Sequence, residues 1–216
     1  MSLVDAVMCG LAQRRPVFHG EADFQHAFAQ ELTHATTDAQ VRLEYRPWPG
    51  ERRYLDVWAT ADGAQLAVEL KYLTRPLRVD VDGEAFTLTN QAAQDIRRYD
   101  FWRDVVRLER LVAYHPRLQA HAVCLTNDPG YWRPPRSADS VDAAFRLHEG
   151  REVSGRLAWS DAAGEGTTRG RTAPLELTGG YTLRWRDFAA VAGQNLRYLH
   201  VEMRSPAPER GAGEGS

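Results

Sequence analysis

Between Glu21 and Leu32 the apolar residues Phe24, Ala27, Phe28 and Leu32 recur at helical spacing, which predicts a helix with one buried face and with Glu21 and Gln25 along its edge. Val41 to Tyr45 then alternates apolar and polar positions before Pro47 and Pro49, the pattern of a short strand ended by proline. The stretch RRYLDVWATADGAQLAVELKYL reads as two β-rich runs about an Asp62-Gly63 turn, a hairpin. From Gln91 to Tyr114 a wide apolar face (Ile96, Tyr99, Phe101, Trp102, Val105, Leu108, Val112) predicts the longest helix, with Arg97, Arg98, Arg103, Arg107 and Arg110 around the remainder. His121 to Thr126 is an apolar strand closed by the turn cluster Asn127, Asp128, Pro129 and Gly130.

The residues ahead of Glu21 are expected to be irregular. Beyond Asp139, alternating runs at Val141 to Leu147, Arg151 to Trp159, Pro174 to Trp185 and Leu196 to Met203 predict mostly β structure, with Gly179-Gly180 as a further hairpin turn. The segment DAAGEGTTRGRT is expected to be too polar and glycine-rich to pack, and the tail after Arg204 to be disordered. The chain therefore divides into an α/β core over 1–135, a β-rich C-terminal extension of the same domain over 136–203, and a tail over 204–216.

Composition narrows the function. A 216-residue chain that is 43% hydrophobic can bury one continuous core without disulfides. With 27 Lys+Arg against 29 Asp+Glu, a net of −2, it cannot coat a polyanion by bulk charge, so any nucleic-acid contact must be a local patch. Cys9 and Cys124 lack the spacing of a thiolate metal site, and the histidines lack HExxH spacing. No apolar run approaches the roughly 18 residues that span a bilayer, so a cytoplasmic protein without a membrane partner is expected. P-loop and dinucleotide fingerprints are absent, as are serine and cysteine nucleophile motifs. Lys71 is the single lysine; the other 26 basic residues in the Lys+Arg count are arginine. A compact ammonium retained in a chain that otherwise uses guanidinium is a candidate for a role that guanidinium cannot fill, chance being the plain alternative.

With Asp62 and Gly63 at the hairpin tip, Asp56 falls opposite Glu69, Val57 opposite Val68, Leu55 opposite Leu70, Trp58 opposite Ala67 and Tyr54 opposite Lys71. This register gathers Leu55, Val57, Val68 and Leu70 on one face and leaves the acids with Trp58 and Ala67 on the other. Two carboxylates about 5 Å apart repel by roughly 3 kcal/mol at an effective dielectric near 20, and such a pair asks for a cation. Lys71 lies on the same face, roughly 7 Å along the strand from Glu69. Two carboxylates, a backbone carbonyl and retained waters are the oxygen donors that Mg²⁺ prefers, and the waters supply a nucleophile.

Asp56, twelve intervening residues, then Glu69-Leu70-Lys71 at the end of an apolar strand resembles the signature of the PD-(D/E)XK nuclease superfamily, which includes restriction endonucleases and Holliday-junction resolvases. The resemblance spans about Glu21 to Thr126 and implies a restriction-endonuclease-like αβββαβ core, a mixed sheet flanked by helices. Residue 55 is Leu where the family name has proline, and the family's Q-x-x-x-Y motif is matched imperfectly, Tyr99 having Asp95 four residues before it and Gln94 one position out. The Asp23-Phe24-Gln25 sequence after Glu21 is also similar to restriction-endonuclease-like proteins. The resemblance implies a Mg²⁺- or Mn²⁺-dependent nuclease acting on DNA, RNA not being excluded, in restriction, defence or repair, and a homodimer is compatible with it. Asp56, Glu69, the Leu70 carbonyl and Glu21 would hold the metal, with Lys71 beside them at the reacting water. Gln25, Gln91, Gln94, Asp95, Arg97, Arg98 and Tyr99 would form a surrounding layer, the two arginines touching phosphate.

Simpler readings stand beside these. Asp56 and Glu69 on an exposed hairpin face, neutralised by Lys71, would be an ordinary weak surface cluster. An acid at Glu21 favours a helix start through the helix dipole whatever its function. Tyr131 and Trp132 fit the core as well as they fit a stacked base. From another functional class, a member of the fold that binds nucleic acid or protein without cutting is the alternative.

Overall fold

The computed structural model describes residues 2–48, 52–61, 63–115 and 117–204; Asp62 of the expected turn and the 205–216 tail lie outside them. Ser2 caps the first helix: its hydroxyl accepts from the Asp5 N–H while the Asp5 carboxylate accepts from the Ser2 N–H, and α1 runs Leu3–Arg14 where irregular chain was expected. Its buried Val4, Val7, Met8 and Leu11 pack on α2, Glu21–Ala35.

Strands β1 (Gln40–Tyr45), β2 (Leu55–Ala61) and β3 (Ala64–Leu73) follow, then a small hairpin of β4 (Leu77–Val81) and β5 (Glu84–Leu88), helix α3 (Gln94–Tyr114) and β6 (Leu118–Thr126). After β6 come a 3-10 turn at Ala143–Phe145, β7 (Glu152–Leu157), the short helix α4 (Glu165–Thr168), β8 (Leu175–Thr182), β9 (Trp185–Val191) and β10 (Gln194–Arg204). The main sheet has six strands in the order β1-β2-β3-β6-β10-β9, mixed because β3 and β6 pair in parallel while the other neighbours are antiparallel. The crossover between the parallel strands is made by β4, β5 and α3, as a parallel pair requires.

Two apolar layers sandwich this sheet. Val57, Leu66, Val68, Leu70, Tyr72, Val123 and Leu125 face α1, α2 and the β4–β5 hairpin. Ala67, Leu73, Ala120, Ala122 and Cys124 face α3, which is covered in turn by β7 and β8. The β-rich C-terminal part is thus integral to the domain, with β10 and β9 extending the sheet and β7–β8 closing over α3. No helix among the described residues is long and apolar enough to cross a membrane.

Four further sequence expectations need correction. Val141 to Leu147 forms turns and the 3-10 segment instead of a strand. Gly179 and Gly180 lie inside β8; the C-terminal hairpin turns at Ala192-Gly193, whose positive φ values of 48° and 74° suit the twist of a two-residue turn. The polar glycine-rich segment does pack: Arg171 holds Asp100 through bonds of 2.9 and 2.8 Å, and its carbonyl accepts from the Trp159 indole at 2.9 Å. The fourth concerns Leu55. The β2–β3 register follows the expected pairing from Val57–Val68 to Ala61–Ala64, but Leu55 joins Trp58 and Ala67 on the α3 side instead of Leu70. In β1 the same switch occurs between Leu43, which faces α2, and Tyr45, which faces α3. Glu44, between them, has φ of 50°, and the kink it introduces turns both strands at the level of Asp56.

Candidate active site

Asp56 stands where β2 and β3 part. Its Oδ2 accepts the Leu70 N–H at 2.6 Å, and its own carbonyl accepts from Gln25 Nε2 at 2.7 Å, the amide that also donates to Glu44. Glu21, the first residue of α2, sends Oε2 to the Tyr72 N–H at 2.9 Å, and Gln91 donates to the Tyr72 carbonyl at 3.0 Å. Two carboxylates from different elements therefore grip the backbone on either side of Lys71, with Gln25 and Gln91 bracing them.

Lys71 extends to the α3 side. Its Nζ lies 3.1 Å from Asp104 Oδ2 and 3.2 Å from the Leu70 carbonyl. Asp104 Oδ1 is 2.8 Å from Arg107 Nη1, and Arg107 Nη2 bonds Glu69 Oε1 at 2.8 Å and the Tyr54 carbonyl at 3.0 Å. The result is an ionic chain, Lys71–Asp104–Arg107–Glu69, across the interface of β3 and α3. The Arg107 guanidinium also sits 4.7 Å over the Trp48 ring.

The charges do not balance. Glu21, Asp56, Glu69 and Asp104 all act on Lys71, and Arg107 is the second cation of the cluster, so four carboxylates face two cations. Burial pulls the Lys71 ammonium down, but Asp104, then Glu21, Asp56 and Glu69, outweigh it and raise its pKa further above the ordinary lysine value. The surrounding carboxylates thus favour the charged ammonium at Lys71. Burial, and then the Glu21 and Asp104 carboxylates, raise Asp56 against the pull of Lys71 and the Leu70 N–H. Glu69, 4% exposed, is raised well above the ordinary range by burial and by Asp104 and Asp56, with Arg107 and Lys71 opposing.

The other expected residues lie apart from this cluster. Arg98 is buried: it pairs with Asp142 at 2.6 Å, bonds Gln94 and the Gly130 carbonyl, and lies over the Tyr131 ring, so it is not available to a phosphate. Gln94 is bonded to Asp128 and Asp95 to the Ile96 N–H, while the Tyr99 hydroxyl donates to the Ala173 carbonyl. Arg98 and Tyr99 tie α3 to the C-terminal part and Gln94 ties it to the turn after β6, while Arg97 is exposed. Tyr131 is buried and Trp132 packs against Trp185, so both serve the core.

Sequence reasoning missed Asp104 and Arg107. The signal was present: position 104 falls on the buried stripe of Phe101, Leu108 and Leu111, where an acid needs a partner, and Arg107 follows one turn later.

The donor chemistry suits a hard divalent cation: only oxygen ligands are offered, and the carboxylates outnumber the cations by two. Asp56 and Glu21 each commit one oxygen to a backbone N–H, whereas Glu69 is enclosed with Arg107. Among the described residues no three acidic, histidine or cysteine side chains converge as a ready-made cage. Mg²⁺ commonly takes one or two protein carboxylates and completes its shell with water and substrate, which fits a pair. No family model matches the chain, and no curated protein or solved structure shows significant similarity to it.

Proposed function

We propose that this protein is a divalent-metal-dependent nuclease of the PD-(D/E)XK type that hydrolyses phosphodiester bonds of DNA. The observation that carries the reading is the single lysine, 19% exposed, held among four carboxylates from β2, β3, α2 and α3. A purely structural cluster has no need for two more acids than cations in so confined a place.

In this reading Asp56 and Glu21 hold Mg²⁺, with the Leu70 carbonyl beside them, and Glu69 sustains the cluster through Arg107. The ion, when bound, supplies Lewis-acid polarisation of the phosphoryl oxygen and lowers the pKa of water. Lys71, fixed by Asp104 and the Leu70 carbonyl, places a positive charge where negative charge develops on the phosphoryl oxygens as water adds to phosphorus and the ester oxygen leaves. Gln25 and Gln91 fix the backbone that carries Asp56 and Lys71.

One observation favours a second reading, a fold relative that binds without cutting: Glu69, which the resemblance assigns to the metal, is enclosed and bonded to Arg107. Cleavage assays on plasmid, linear duplex and single-stranded DNA in Mg²⁺, Mn²⁺ or EDTA separate the two. Metal-dependent products lost in Asp56→Ala support the nuclease; intact DNA in both metals, with no Mn²⁺ binding, leaves the binding module.

A further inference from the structure

Asp56 is the residue of β2 that the sheet leaves unpaired. Among the described residues Leu55 pairs with Tyr45, and residues 57–60 each pair with both β1 and β3, but Asp56 has a ladder partner on neither side. Side chains hold it instead. Its carboxylate accepts from the Leu70 N–H at 2.6 Å, and its carbonyl accepts from Gln25 Nε2 at 2.7 Å. Gln25, 8% exposed, gives its other N–H to Glu44 Oε1 at 2.9 Å, so one amide links α2, the kink of β1 and the backbone of Asp56.

Glu44 is exposed and has φ of 50°. A glutamate at positive φ is strained where glycine is not, and burial of the side chain does not offset that strain here. What the residue contributes is its carboxylate. Together with the Asp56 carbonyl it presents two acceptors to Gln25 and so fixes the amide with its nitrogen toward β1 and β2, and its charge makes this a bond of the stronger class. Strain kept at a residue one bond from a candidate ligand points to function and not to stability. We propose that Glu44 is a positioning residue of the site: through Gln25 it does for Asp56 what the missing ladder does not, holding the carboxylate on Leu70 with one oxygen and leaving the other for the metal. The inference rests on the nuclease reading for that metal.

The test uses two readouts on the full chain: amide hydrogen exchange of Leu70 in EDTA, compared with the amides of the β2–β3 ladder, and Mn²⁺ affinity without nucleic acid. Glu44→Gly keeps the backbone conformation at no steric cost and removes the carboxylate, Glu44→Gln keeps an acceptor oxygen at the same reach, and Arg42→Gly places the same weakening two residues away on an exposed position of β1. Each variant is checked for a cooperative unfolding transition. Glu44→Gly is expected to speed Leu70 exchange about tenfold relative to the ladder and to weaken Mn²⁺ binding by about tenfold, with Glu44→Gln and Arg42→Gly close to wild type in both. Wild-type Leu70 exchange in Glu44→Gly, or an equal acceleration in Arg42→Gly, overturns the proposal. So does Mn²⁺ binding lost in Glu44→Gln with Leu70 exchange unchanged, which would make Glu44 a distant charge. Failure of the nuclease reading looks different: Leu70 exchange that responds as expected in a wild-type protein that binds no Mn²⁺ removes the metal and keeps Glu44 as the residue that positions Asp56, whereas wild-type Mn²⁺ affinity in Glu44→Gly removes Glu44 and keeps the metal.

Discussion

Asp104 gives the sharpest energetic test of the ionic chain. Its two oxygens have different partners, Arg107 at 2.8 Å on Oδ1 and Lys71 at 3.1 Å on Oδ2, and the side chain is 5% exposed. At an effective dielectric near 20 each contact is worth about 5–6 kcal/mol of gross attraction, most of it offset by the desolvation of three charges. In Asp104→Asn the carboxamide has one oxygen, so its NH₂ must turn toward one of the two cations, which then lies buried against a donor. Loss of one partner from a buried ion pair typically destabilises by about 3–5 kcal/mol. A counter-effect exists, since removing Asp104 relieves Asp56 and Glu69, but burial outranks Asp104 as the cause for both. The expected net loss is therefore about 3 kcal/mol, at the lower end of that range, because Lys71 keeps the Leu70 carbonyl and Arg107 keeps Glu69 and the Tyr54 carbonyl. Urea unfolding at neutral pH measures it. A variant within about 1 kcal/mol of wild type would falsify the view that these contacts form one buried network.

Asp56→Asn is expected to raise the melting temperature without metal, because a carboxyl whose folded pKa is raised destabilises the fold once ionised; Mg²⁺ should stabilise the wild type and not the variant, and equal metal shifts would remove Asp56 from the ligand set. His200, 5% exposed, bonds Asp5 at 2.9 Å, but burial and the Arg186 guanidinium, which takes the same carboxylate oxygen, hold its pKa down at about 4. The unfolded chain then binds the extra proton between about pH 6.5 and 4, so stability present above 6.5 falls by about 3 kcal/mol as pH drops through that window. His200→Gln should flatten that part of a pH series of unfolding midpoints, and an unchanged profile would dismiss the assignment. Arg98→Met is expected to destabilise by about 3–5 kcal/mol by leaving Asp142 buried beside a lost partner, while the salt dependence of DNA binding stays as in wild type; a reduced salt slope would return Arg98 to the phosphate contacts.

Much of the site was legible because hairpin register is set by alternation and turn chemistry: pairs from Val57–Val68 outward stand as the pattern requires. The Leu55 switch was not, because it arises from the positive φ at Glu44 on the neighbouring strand, which no periodicity within β2 encodes. The β4–β5 hairpin carries the same Asp-Gly signal at Asp82-Gly83, with φ of 54° and 84°, and was legible but passed over. Helix α1 is declared by its Ser2–Asp5 capping box, a two-residue cue weaker than the apolar stripe of α2. That Asp104 needed a partner was legible from its place on the buried stripe, but that Lys71 and Glu69 complete the chain became so only when α3 was laid over β3, since tertiary packing, and not local sequence, decides which helical charge meets which strand. Gln94, Arg98 and Tyr99 lie outside the cluster for the same reason, bonded to Asp128, Asp142 and the Ala173 carbonyl in turns that the motif spacing ignores.

Lys71 acts in this reading as a compact charge, its one nitrogen fitted between Asp104 Oδ2 and the Leu70 carbonyl where the broader guanidinium does not fit, and plasmid nicking by Lys71→Arg beside wild type in Mg²⁺, with EDTA controls, tests this most directly. Metal-dependent nicking by the wild type and its loss in a folded Lys71→Arg protein is the result the account expects. Nicking by Lys71→Arg at the wild-type rate, or plasmid left intact by the wild type in both Mg²⁺ and Mn²⁺, would contradict it.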